Sequence, residues 1–251
     1  MVLNVKSVLV TGSSRGIGLE FVKQLLRLPT PPRYVFATCR NPEKAEDLQS
    51  LKKDNSNLRI VPLDICDETS IIKAKEAVEN EVEDNGLNLL INNAGLKLSI
   101  TFEKLNFDSM MEAFKTNAVA PSVLTRIFFP LLKVAAAKEN PSSNLSCNRA
   151  AVVNISSILG SVTATRNSTF FYEYSSSKAA LNMITKDFGI HLKPHNVLAV
   201  ALHPGWVQTD MGGKNANLTP ESSVKQSLNT LSTLNESNAG FLIDYQGSVI
   251  P

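Results

Sequence analysis

Histidine and cysteine are scarce in this chain of 251 residues, at three each. Cys39, Cys66 and Cys147 are scattered, odd in number and without metal-ligand spacing, so neither a structural zinc site nor a disulfide framework is expected. An excess of charge of one sign is missing too: the formal net charge is +2. That is too close to zero to point to nucleic acid or an anionic membrane as partner. No apolar run approaches the roughly 20 residues of a membrane span. The start runs directly into "VKSVLVTG", with none of the features of a signal peptide. A cytoplasmic protein acting on a small molecule is the expectation, and the N-x-[ST] matches at Asn144 and Asn167 read as chance.

What the chain has is alternation. Short apolar runs at 7–12, 34–39, 58–64, 87–93, 150–156, 196–203 and 240–245 read as strands. Helical patterns fill the gaps at about 16–28, 43–53, 67–84, 103–136, 175–192 and 220–231. Near-continuous apolar strands are expected where helices cover both faces of a sheet. The reading is one α/β domain over 1–251, a doubly wound, mainly parallel, seven-stranded sheet of Rossmann type. A cofactor half would cover about 1–150 and a catalytic and substrate half about 151–251. Polar stretches at 138–149 and 160–171 read as loops, the second leaving the carboxyl end of a strand, where such sheets place ligands.

The first strand runs into "TGSSRGIG". Gly12 suits a tight turn out of the strand, Gly16 a close backbone approach to a ligand, and Gly18 close helix–sheet packing. A helix starting there aims free N–H groups at a pyrophosphate. Gly12, Ser14, Arg15, Gly16, Ile17 and Gly18 are therefore candidate cofactor contacts. Where an NAD-preferring site would carry an acidic residue after the second strand, this chain has "ATCRN". Arg40 can meet a 2′-phosphate, with Arg15 as a second cation, which favours NADP(H). In "LDI", Asp64 could accept from the adenine amino group with Ile65 against the ring, or Asp64 could simply cap the next helix. "NNAG", with Asn93, Ala94 and Gly95, suits a strand-end turn that supports the glycine loop and lets the cofactor pass.

"YEYSSSKAA" poses a choice of tyrosine. Residues four apart share a helix face, so Tyr174 rather than Tyr172 belongs with Lys178. An adjacent ammonium would be expected to lower the phenol's pKa from about 10. Pro121 lies four residues after Asn117 and has no N–H, so in a continuous helix the Asn117 carbonyl loses its usual donor and could hold a water.

In chain order, "TGSSRGIG", "LDI", "NNAG", "NISS", "YSSSK" and "HPGWVQT" resemble the short-chain dehydrogenase/reductase superfamily of the classical type over nearly the whole chain. "PGWVQTDMGGKNA" and the two longer loops are most similar to sniffer-type and C-factor-like carbonyl reductases. The resemblance implies a catalytic set of Asn117, Ser157, Tyr174 and Lys178. Ser157 would hold the substrate oxygen, Tyr174 protonate it, and Lys178 hold the nicotinamide ribose. It places Asn117's backbone oxygen on a water that touches the lysine. It implies further cofactor contacts at Pro204, Gly205, the Val207 backbone and Thr209. Leu96, Leu159, Phe171, Trp206 and Met211 are candidate pocket residues, and 211–219 a candidate mobile lid. The Ser157–Tyr174 spacing is longer than usual for the family. A homodimer or tetramer is the implied assembly. Carbonyl reduction with NADPH is the favoured activity. The alternatives are an NADP-linked alcohol or steroid dehydrogenase, and an NADP(H)-binding signalling or scaffold protein with incidental activity.

Overall fold

A computed structural model describes residues 3–138, 144–164 and 171–251. The loop expectations over 138–149 and 160–171 therefore lie partly outside the described residues, as does Asn167.

The apolar runs become the strands β1 (Ser7–Val10), β2 (Tyr34–Cys39), β3 (Leu58–Pro62), β4 (Leu89–Asn92), β5 (Ala151–Ile155), β6 (Leu198–His203) and β7 (Leu242–Asp244). The short β8 (Val249–Ile250) adds an eighth strand to the seven expected, pairing antiparallel with β7. Two residues are too few to leave a periodic signal in sequence. The order is β3-β2-β1-β4-β5-β6-β7-β8, with β1 through β7 all parallel. Strand order reverses at β1, so a crevice opens between the carboxyl ends of β1 and β4, where open α/β sheets bind ligands.

The helices are α1 (Gly16–Leu26), α2 (Glu46–Asp54), α3 (Glu68–Val82), α4 (Phe107–Phe114), α5 (Ala120–Lys138), α6 (Tyr172–His191) and α7 (Pro220–Leu231). Successive strand residues point to opposite faces. Val8 and Val10 enter the core layer with Phe21 and Leu25 of α1, Leu48 of α2 and Leu228 of α7. Leu9 enters the other, with Ile71 and Val78 of α3 and Leu124 and Phe128 of α5. Both faces are thus covered, which is why the strands lack polar alternation.

α4 and α5 form one helical run, Phe107–Lys138, which is long and apolar enough to cross a membrane, at a mean hydropathy of 1.5. Half of that window is buried, and Leu124, Phe128, Leu131 and Leu132 fill the core under the sheet. Its apolar character is explained by that packing. Within the run, Lys115–Val119 form a π turn, with the Ala120 N–H bonded to the Lys115 carbonyl, immediately before Pro121. A widened turn thus lies just ahead of the proline, where a continuous helix was expected.

Candidate active site

The β1 register sets Val10 beside Ala37 of β2 and Ile91 of β4, so the residues after each strand meet at one edge. Thr11 Oγ1 accepts from the N–H groups of Asn93 (2.9 Å) and Ala94 (3.0 Å). Asn93 Nδ2 donates back to the Thr11 (2.8 Å) and Gly12 (3.2 Å) carbonyls. "NNAG" thus clips the glycine loop in place, as its sequence suggested. Gly12 has φ +66°. A Cβ at Gly18 would stand 2.3 Å from the Gly12 carbonyl oxygen and 2.5 Å from Asn93 Nδ2. The third glycine therefore lets α1 close onto the segments leaving β1 and β4, the close helix–sheet packing expected of it. Gly16 meets only Thr209 at ordinary contact.

The first turn of α1 has no side-chain cap from Arg15, leaving its amides for an anion. Ser14 and Arg15 are exposed at the open end of the loop, and Ile17 is half-buried against the core. Arg15 pairs with Asp210 at 3.5 Å, so it is engaged across the crevice. Arg40 is exposed just past β2, while the Thr38 carbonyl accepts from the Ser13 N–H (2.9 Å) and ties β2 to the loop. Asp64 does not cap α3: that is Asp67, whose side chain accepts from the Thr69 N–H. Asp64 Oδ1 accepts from the Cys66 N–H (2.9 Å), and Ile65 beside it is half-buried.

The chemical end gathers at β5 and α6. The two serines after β5 part company. Ser156 Oγ donates to Asn182 Oδ1 at 2.6 Å, turned into α6. Ser157, buried beside Tyr174, acts to lower the phenol pKa, and its Oγ accepts from the Leu159 N–H at 3.1 Å. α6 begins at Tyr172, three residues earlier than expected, so both tyrosines are helical. Tyr172 packs on Phe102, ring centroids 6.0 Å apart, away from Lys178. Tyr174 and Lys178 share the inner face, with Nζ 5.7 Å from the tyrosine ring centroid. Lys178 Nζ donates to the Ile155 carbonyl at 2.7 Å. Burial pulls this lysine down to about 8. The tyrosine departs from expectation: burial pushes its phenol up to about 12. Desolvation outweighs the lowering effect of Ser157, and Tyr174 is a neutral O–H donor at neutral pH.

Asn117 is buried, and its side chain is fully employed. Oδ1 accepts from the Leu96 N–H (2.8 Å), while Nδ2 donates to the Leu96 carbonyl (2.8 Å) and to Ser177 Oγ (3.0 Å). It holds the segment after β4 against α6. A Cβ at Gly95 would lie 3.2 Å from Asn117 Oδ1 and 3.6 Å from Lys178 Nζ, so the segment passes close over the lysine.

After β6, Gly205 has φ +83°, and a Cβ there would strike Leu218 at 2.5 Å. The Pro204 carbonyl accepts from Ser223 Oγ (2.6 Å), and Val207 is buried in a bridge to Leu218. Thr209 Oγ1 accepts from the Gly212 N–H at 3.1 Å and faces Gly16. The segment expected to be a lid is tied down: Gln208 N–H to the Leu218 carbonyl (2.8 Å), Leu218 N–H to the Trp206 carbonyl (3.0 Å), and Trp206 Nε1 to the Gly212 carbonyl (2.8 Å). Among the pocket candidates, Leu96, Leu159 and Phe171 are half-buried, and Trp206 and Met211 are exposed. His203 stays neutral, since burial takes it down to about 4 despite Asp244 nearby.

Three features of the site escaped the motif reading. Glu173, fully buried beside Tyr174, accepts the N–H groups of Leu98 (3.0 Å) and Ser99 (2.7 Å) on Oε1. Lys97 reaches the Met211 carbonyl. Asn92 Nδ2 donates to Asn154 Oδ1 (2.8 Å), and Asn154 Nδ2 to Thr185 Oγ1 (2.8 Å), tying α6 to the middle of the sheet.

The sequence profile described as short chain dehydrogenase matches residues 6–219. The chain belongs to that family. Among solved structures similar to this short-chain dehydrogenase is the carbonyl reductase Sniffer of D. melanogaster, 40% identical with a TM-score of 0.95, covering 98% of this chain and 99% of that one. An NADPH-bound carbonyl reductase from chicken fatty liver is 43% identical with a TM-score of 0.92, over 98% and 99%. The C-signal of Myxococcus xanthus is 35% identical across 66% of this chain and 92% of its own length. The sniffer-type and C-factor-like resemblance read from "PGWVQTDMGGKNA" is thereby supported.

Proposed function

We propose that this short-chain dehydrogenase is an NADPH-dependent carbonyl reductase acting on aldehydes, ketones or quinones. The observation that carries the reading is the convergence of Ser157, Tyr174 and the buried Lys178 at the end of β5, with Lys178 Nζ 5.7 Å from the Tyr174 ring centroid and bonded to the Ile155 carbonyl. The naming of carbonyl reductases among neighbours at 40% and 43% identity supports it, one of them NADPH-bound.

The cofactor fits this chain's own residues. Arg40 and the uncapped first turn of α1 would take its phosphates, with Gly12, Gly16 and Gly18 leaving room for the backbone to close on it. Lys178 would hold the nicotinamide ribose, and the Val207 backbone and Thr209 would border the nicotinamide side. Bound NADPH supplies a hydride to the carbonyl carbon. Ser157 Oγ–H holds the carbonyl oxygen, and Tyr174, neutral because it is buried, gives that oxygen its proton to complete the alcohol. The resulting phenolate sits beside Lys178, whose ammonium stabilises it until a proton returns from solvent.

The test is NADPH oxidation across a panel of aldehydes, ketones and an ortho-quinone, with NADH in parallel. Turnover with NADPH preferred is expected. In Arg40→Ala that preference should fall about tenfold, the scale of one charge-assisted phosphate contact. Tight NADPH binding without turnover of any carbonyl would instead favour a binding protein of signalling or scaffold type.

A further inference from the structure

The cleft holds a cation that no step above uses. Lys97 follows β4 and Gly95, and its backbone is pinned on both sides. Leu96 is held at N–H and carbonyl by Asn117, while Leu98 and Ser99 give their N–H groups to Glu173. Ser99 is forced to φ +61°, a conformation that a serine keeps only when its surroundings impose it. Both anchors belong to the catalytic neighbourhood, since Glu173 precedes Tyr174 and Asn117 also bonds Ser177 of α6. The position of Lys97 is therefore fixed relative to Tyr174.

Its side chain reaches across the cleft. Nζ donates to the Met211 carbonyl at 2.5 Å and stands 4.8 Å from the centroid of the Phe171 ring. Phe171 itself is held at φ +74°, unusual for a bulky residue, where it opens α6. The ammonium thus lies between Phe171 and Met211, two of the residues expected to line the substrate pocket. Among the described residues it forms no salt bridge. Glu173 acts on it through space without pairing with it: Oε1 accepts two amides, and the buried Oε2 has no hydrogen-bond partner among the described residues. Burial depresses the Lys97 pKa, with Glu173 opposing, which agrees with an ammonium partly stripped of water.

An ammonium has three donors, and here one goes to a neutral carbonyl and one side to an aromatic face. A carboxylate would make a stronger, charge-assisted bond than either. One ammonium offers too few donors to satisfy a phosphate dianion, so a singly charged carboxylate suits it better. We propose that Lys97 is a specificity-determining residue that selects carbonyl substrates bearing a carboxylate, binding that carboxylate at the Met211 and Phe171 side of the cleft while the carbonyl lies at Ser157 and Tyr174. This rests on the carbonyl-reductase reading and names the substrate class within it: oxo acids and carboxy-substituted aldehydes or ketones.

The test compares para-carboxybenzaldehyde with its methyl ester, using wild type, Lys97→Met and Lys97→Arg. In wild type, kcat/KM should favour the acid by about tenfold or more, as a charge-assisted hydrogen bond provides. The ratio should fall to near one in Lys97→Met, mainly through KM, and return in large part in Lys97→Arg. Equal kcat/KM for acid and ester in wild type, or a preference that survives Lys97→Met, overturns the proposal. Binding is measured separately with para-carboxybenzyl alcohol and its methyl ester, read by the fluorescence of Trp206, the one tryptophan in the chain. Tighter binding of the acid, lost in Lys97→Met, supports the site even if no carbonyl of the wider panel turns over, a result that would sink the reductase reading alone. Equal binding of acid and ester counts against the site whatever the turnover.

Discussion

Around the glycine loop, what is held is main chain: the Thr11 and Gly12 carbonyls and the Asn93 and Ala94 amides, gripped by the side chains of Thr11 and Asn93 themselves, with the Ser13 amide on the Thr38 carbonyl and glycines where a Cβ would collide. Around α6 positions are set by buried side chains that join distant parts of the chain: Glu173 and Lys178 reaching out from the helix, Asn117 and Asn154 reaching in. A backbone cradle serves a ligand whose phosphates ask only for N–H groups and room. Proton transfer asks for functional groups removed from water and held in place, and these carry desolvation costs that a loop of glycines does not.

The contrast can be broken most sharply at Tyr174. Tyr174→Phe should lower kcat by about 10³-fold, within the span of general acid catalysis, while the NADPH dissociation constant stays within about twofold. An equal loss in both would mean the two ends are not separable. Gly18→Ala attacks the other side. Its Cβ at 2.3 Å from the Gly12 carbonyl must push the loop apart, so NADPH affinity should fall by more than about tenfold, at roughly 1–3 kcal/mol of stability. Fluorescence titration and thermal melting check the two numbers.

The smallest expected effect sharpens the desolvation argument. Taking an ammonium from 10.5 to about 8 corresponds to roughly 3 kcal/mol of cost in the folded state. Lys178→Met removes that cost and loses the hydrogen bond to Ile155, worth about 1 kcal/mol. The cofactor-free variant should melt about 5 °C higher at pH 7 while losing activity. Below about pH 8 the lysine is charged in both states and the full cost applies. Between 8 and 10.5 the unfolded chain binds more protons, so wild-type stability climbs with pH. The advantage of the variant should therefore vanish by about pH 9.5 and give way to a deficit of about 1 kcal/mol, the lost hydrogen bond, by about pH 10.5. A melting difference independent of pH would refute the assignment.

The same contrast governs what could be read in the sequence. The glycine loop and the Tyr174–Lys178 pair are local, recorded in spacings of a few residues, and their placement was legible. Strand alternation separated Ser157 from Ser156, but the choice between them came from the family resemblance. Glu173 and Lys97 carry no local signal, because their partners lie 74 or more residues away and only the fold introduces them. The tyrosine pKa was misjudged for a related reason: a neighbouring charge is visible in a sequence, whereas the depth of burial is not. β8 escaped because two residues at a sheet edge have no period.

The π turn at Lys115–Val119 has one more consequence. It works as a phase shifter between two helices on one axis, α4 and α5. One extra residue rotates everything before it by about 100° relative to everything after it. Asn117 can then face Leu96 and Ser177 while Leu124 and Phe128 keep facing the sheet. Along Phe114–Pro121 the count of residues thus carries information apart from their identities. Many substitutions there leave the angle between the two faces untouched, whereas removal of one residue would turn the site and the core out of step.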